Sequence, residues 1–250
     1  MHTRYYDMFR KASQDDFYRA INDAESELYD VLWSAFEAVV IEPAEVFDPD
    51  FRDLNQFRYR IGDGFAALEF FPDEAYFLGR PGPDPYHDNS DAAGVHLKLS
   101  VLPRMSCLFC ASLGIWGEAE REAFRQLWVR HRTVLAGLFQ RAKPIMFTSI
   151  LFPEVEYARN LEEMLDRYFK IHDPDSLLEF QYSFPQLDET SEAENFMTYM
   201  ALLYHMIRSY AHSGKDLTMM WVTRLNEFYS GYLPDLPAPL PCVAVSSDVT

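Results

Sequence analysis

The sequence predicts an α+β fold: an antiparallel sheet of about five to six strands with helices packed against it. Three observations carry this expectation. Segments of period-two apolar alternation cluster in the first half of the 250 residues. Segments with apolar residues at helical spacing lie before and after them. The chain is also 48% hydrophobic and 16% aromatic, which is ample material for a packed interior in a chain of this length.

The first element is expected over residues 14–40. Ser13 is placed to cap it, Asp15 and Asp16 lie in its first turn, and Phe17, Ile21, Ala24, Leu28, Leu32, Phe36 and Val39 form its apolar stripe. The acids Asp16, Asp23, Glu27, Asp30 and Glu37 recur at steps of seven, four, three and seven, on a different face. Pro43 and Pro49, with Asp48, Asp50 and Asp53, then predict a loop over residues 42–55.

Period two follows. Residues 57–61 and 65–71 flank Gly62-Asp63-Gly64, a hairpin signal, and residues 75–78 read as a third short strand. Residues 80–94, RPGPDPYHDNSDAAG, predict a long irregular loop, a kind of segment that is uncommon unless it has a function. Two more strands are expected at 95–102 and 105–116, a locally basic helix at 118–141, a buried strand at 145–152, a helix at 154–171 and a closing strand at 177–184. Ser191 and Glu194 make a capping box for a helix ending at Gly214, and Asp216 is placed to cap another reaching about Tyr229. Four prolines from Pro234 to Pro241 forbid regular structure. The organisation expected is one domain over 1–232 and an extended Pro-rich tail over 233–250. A boundary near Lys143-Pro144 would leave the later strands in need of a sheet of their own.

Charge is the strongest functional signal. Thirty-nine acids against 22 Lys and Arg give a formal net charge of −17. Between residues 154 and 194 acids outnumber bases twelve to three, even with the i,i+4 pairs Glu163/Arg167 and Asp166/Lys170. Such a surface repels nucleic acid and anionic lipid and attracts basic proteins. Three cysteines (Cys107, Cys110, Cys242), no signal-peptide core and no long apolar run predict a cytoplasmic chain without a membrane span.

Catalytic patterns are weak. Cys107 and Cys110 have redox or zinc spacing, but in a strand residues three apart face opposite ways, so two structural thiols are expected. Asp84, His87, Asp88, Asp91 and His96, with His172, Asp173 and Asp175, supply ligand chemistry but are equally what turns require. His205 and His212, seven apart with Arg208 between them, read as a polar face near a helix C-terminus. No serine sits in a G-x-S-x-G elbow and no glycine pattern suits a phosphate. Neither a cofactor nor a metal is expected.

With the strand block Phe57-Arg-Tyr-Arg-Ile-Gly-Asp-Gly-Phe-Ala-Ala-Leu-Glu-Phe-Phe71, an acidic surface, an α+β plan and no catalytic signature, the chain resembles the immunity proteins that bacteria encode beside secreted antibacterial toxins. Among them it is similar to the immunity protein 52 family, whose cognate toxins are restriction-nuclease-like. The resemblance lies in overall character and transfers no site residue. It implies a non-enzymatic, stoichiometric inhibitor acting in bacterial competition, type VI secretion included, by covering the DNA-binding cleft of a basic nuclease. From the residues themselves, docking is expected at Asp84, Tyr86, Asp88 and Asp91 of the long loop, or at the helical acids Asp23, Glu27 and Asp30. Two alternatives stay open: a metal-dependent hydrolase using the His87 and His172 loops, and an acidic adaptor.

Overall fold

The computed structural model describes residues 29–30, 32–53, 55–62, 65–72, 94–102, 108–116, 118–148, 161–170, 178–184 and 190–232. Strands β1 (Asn55–Gly62), β2 (Phe65–Pro72), β3 (Gly94–Leu102), β4 (Leu108–Trp116), β5 (Ile145–Thr148) and β6 (Leu178–Phe184) form one sheet in the order β1-β2-β3-β4-β6-β5. Every pairing is antiparallel. The α+β class and the antiparallel sheet are therefore as expected. The hairpin closes with Gly62 opposite Phe65, while the short strand expected at 75–78 lies outside the described residues.

Alternation divides the sheet into two faces. Leu68 and Phe70 of β2, Val95, Leu97 and Leu99 of β3, Phe109, Ala111, Leu113 and Ile115 of β4, and Leu178, Phe180 and Phe184 of β6 are buried in one continuous apolar core. The helices cover this face. Phe36 stacks on Phe70 at 5.5 Å, Phe139 of α2 (Glu118–Ala142) stacks on Phe180 at 4.8 Å, and Phe196 of α4 (Thr190–Ser213) stacks on Tyr182 at 5.6 Å. Each such aromatic contributes about 1.5–3 kcal/mol by leaving water.

Every residue of α4 from Phe196 to Arg208 is buried. A helix apolar on all sides is one packed on all sides, and α4 meets β3, β4 and β6 on one flank and α2, α1 (Glu42–Glu45) and α5 (Thr218–Tyr232) on others. It begins at Thr190, one residue ahead of the expected Ser191 cap. It ends as expected at Gly214, which takes a left-handed φ of 64° and donates its N–H to the Tyr210 carbonyl at 2.9 Å. Asp216 caps α5 by accepting from the Thr218 N–H at 3.2 Å. A short helix, α3 (Leu161–Tyr168), lies against α2 through Phe124 and Phe169, whose rings are 5.2 Å apart. No described helix is long and apolar enough to cross a membrane.

One expectation fails in part, for a clear reason. Of the loop expected over residues 42–55, residues 42–45 are helical and Asn55 opens β1, while turns run over 46–53 as expected. The helical run through residue 36 widens into a π turn over Glu37–Ile41 and continues as α1, with Pro43 at its start. Proline lacks the N–H that would bond the carbonyl four residues back, and its ring crowds that carbonyl. The widened turn, in which the Glu42 N–H reaches the Glu37 carbonyl, makes room for it.

Candidate functional site

Two sets of charged residues stand out, and they differ in kind. The first lies on the sheet's second face. In register, Glu69, Lys98, Ser112 and Gln181 form one row, with His96, Gly114 and Glu179 in the next. A one-sided antiparallel sheet would expose such residues to water, yet Glu69, His96, Ser112 and Glu179 are all buried. Lys98 Nζ lies 2.8 Å from Glu179 Oε1. The partners sit on β3 and β6, with β4 between them, so the lysine spans roughly two strand spacings of about 4.8 Å. It crosses β4 where that strand carries only Ser112 and Gly114 on this face.

Gly114 is needed for a second reason. A Cβ there would fall 2.2 Å from the His96 Nε2, so the imidazole lies across β4 in space that any other residue would fill. Burial alone would push Lys98 down and Glu179 up, and each effect is outweighed. Glu179 and Glu69 hold the Lys98 ammonium above its usual value, while Lys98, the Ser112 hydroxyl and His96 hold the Glu179 carboxyl below the usual carboxylate range. Cys110 shares this face, and burial beside Glu179 pushes its thiol up to about 11. That value makes it a poor nucleophile at neutral pH. The two rows thus form a buried ionic network in which Lys98 stands between the carboxylates of Glu179 and Glu69.

The second set lies at the surface, partly or fully exposed. Between residues 30 and 53 the chain carries Asp30, Glu37, Glu42, Glu45, Asp48, Asp50 and Asp53 against Arg52 alone. Arg52 bridges Glu45 at 2.5 Å and Glu37 at 2.9 Å, which ties the π turn to the segment after α1. Asp30, Glu42, Asp50 and Asp53 are exposed and have no cation against them among the described residues.

The backbone under these acids is held from below. His205 Nε2 donates to the Ala44 carbonyl at 3.3 Å, Arg224 Nη1 donates to the Phe47 carbonyl, and Asn55 Nδ2 donates to the Phe51 carbonyl at 2.5 Å. The Tyr204 hydroxyl in turn donates to Asn55 Oδ1. Donors on α4, α5 and β1, of which His205 and Asn55 are buried, therefore fix a surface segment that has little regular structure of its own. His205 is stacked 4.9 Å from Trp221, and burial, with Arg208 and Arg224 nearby, lowers its pKa to about 3. The ring is neutral at pH 7, and the carbonyl partner places its proton on Nε2.

On α2 several cations are paired with acids. Arg125 pairs with Glu122 at 2.5 Å and pulls that carboxyl to about 2. Arg132 reaches Glu162 at 3.1 Å and Asp166 at 3.0 Å, and Asp166 also accepts from Trp128 Nε1 at 3.0 Å. His131, at the kink of α2, lies 2.6 Å from Asp216. The basic helix is thus largely neutralised by acids facing it from α3 and from the α4–α5 turn. Asp166, expected to pair with Lys170 on its own helix, bonds chiefly across to α2.

Most residues singled out for docking, Asp23, Glu27, Asp84, Tyr86, Asp88 and Asp91, lie outside the described residues, as do His87, His172 and Cys107. Asp30 is described and is exposed on its helix. His96 is not a loop ligand but a buried strand residue. His205 and Arg208, expected on a polar surface face, are buried at 2% and 6% exposure, because α4 has no solvent face at that level. Cys110 is a buried free thiol. No group of three His, Cys, Asp or Glu side chains among the described residues is gathered closely enough to hold a metal ion. In the sequence Asp48, Asp50 and Asp53 read as loop residues, yet seven acids to one base over 24 positions is itself a legible signal. Comparison with family models, with curated proteins and with solved structures finds no match to this chain.

Proposed function

We propose that this protein is a non-catalytic, cytoplasmic inhibitor: an immunity protein that binds a secreted antibacterial toxin, a basic nuclease, and neutralises it by occupying its nucleic-acid cleft. The observation that carries the reading is the acidic segment over residues 30–53, where Asp30, Glu42, Asp50 and Asp53 are exposed with no cation against them among the described residues, on a backbone held from beneath. Carboxylates with no cation against them among the described residues are available to an incoming arginine or lysine, and their summed field raises the encounter rate with a cationic partner. A fixed backbone lowers the ordering cost of the complex. The matched ionic row of the sheet supports the same reading from the other side, since its ionisable groups are engaged with one another and its thiol is held protonated.

The test is co-expression with the toxin domain encoded by the neighbouring reading frame. Growth should be restored, and the two chains should purify as a stoichiometric complex whose nuclease activity is silent. A chain that protects only while turning over a substrate, or that loses protection when chelator strips a metal, overturns this reading in favour of the hydrolase at His87 and His172.

A further inference from the structure

We draw no further inference here: the strongest candidate, the acidic turn over residues 42–53 held from beneath by His205, Arg224 and Asn55, belongs to the site already described, and among the described residues no second feature says what it binds.

Discussion

Carboxylates occupy two opposite environments in this molecule. Glu179 is buried, 2.8 Å from Lys98 of the neighbouring row, in a network that runs across β2, β3, β4 and β6. Asp50 and Asp53 sit in water with no cation against them among the described residues. The first arrangement is costly to break, because either ion left alone in the sheet is a buried unpaired charge. The second costs the fold almost nothing to change, and for that reason it is free to serve a partner. A net charge of −17 therefore does not by itself locate function. What separates structural acid from acid available for recognition is whether the fold has already supplied the counter-charge.

The largest effect should come from the matched side. Lys98→Met strands the Glu179 carboxylate, and urea denaturation at pH 7 should show a loss of about 3–5 kcal/mol. Adding Glu179→Leu should recover part of it, since an apolar pair can replace a buried ionic one while Glu69 still lacks the lysine opposite it. Wild-type stability from this pair is present at neutral pH and fades as pH falls through the depressed Glu179 value, below the ordinary carboxylate range. A single-variant loss under about 1 kcal/mol, the range of exposed pairs, would show that water reaches the row.

Gly114→Ala probes the same network through shape. The new Cβ would sit 2.2 Å from His96 Nε2, so the imidazole must leave its place over β4, at about 1–3 kcal/mol. In a His96→Ala background the penalty should vanish. If it persists there, the glycine is required for its backbone and not for the ring.

Much of the sheet could be read from period two: β1 and β2 around Gly62-Asp63-Gly64, and the alternation of Val95, Leu97 and Leu99 with His96, Lys98 and Ser100. The Lys98–Glu179 pair could not. Its partners are 81 positions apart on strands that do not touch, and only the register across β4 brings them together. The π turn was hidden because Pro43 is a stronger sequence signal for a break than for a widened turn. His205 is hidden from sequence reading because its helical spacing with Arg208 and His212 suggests a polar face, whereas α4 is packed around its whole circumference there and His205 is kept by one carbonyl and one indole. The sequence-derived docking loop lies outside the described residues; within the acidic segment the sequence singles out Asp30 for docking, while Asp48, Asp50 and Asp53 read as turn chemistry alone.

His205 links the two regions, because it is buried like the sheet row yet holds the acidic turn. Its pKa of about 3 is depressed from an unfolded value near 6.5. The unfolded chain therefore binds a proton that the native chain refuses. The stabilisation is complete above about pH 6.5 and falls by about 1.4 kcal/mol per pH unit as pH drops from there toward 3. His205→Gln keeps a donor for Ala44 and removes the titration. Its stability should decline less steeply between pH 6 and 4 than wild type, and an unchanged slope would mean that the imidazole is already protonated in the native state.

The central claim, that the unmatched acids over residues 30–53 receive a basic partner, is tested most directly by the association rate of an Asp50→Lys/Asp53→Lys variant with the toxin domain, measured across a salt series. Stability should stay within about 0.5 kcal/mol of wild type, as for other exposed substitutions. The account predicts association at least tenfold slower at low salt, converging on wild type as salt screens the field. Wild-type association at every salt concentration, with protection intact, would contradict it.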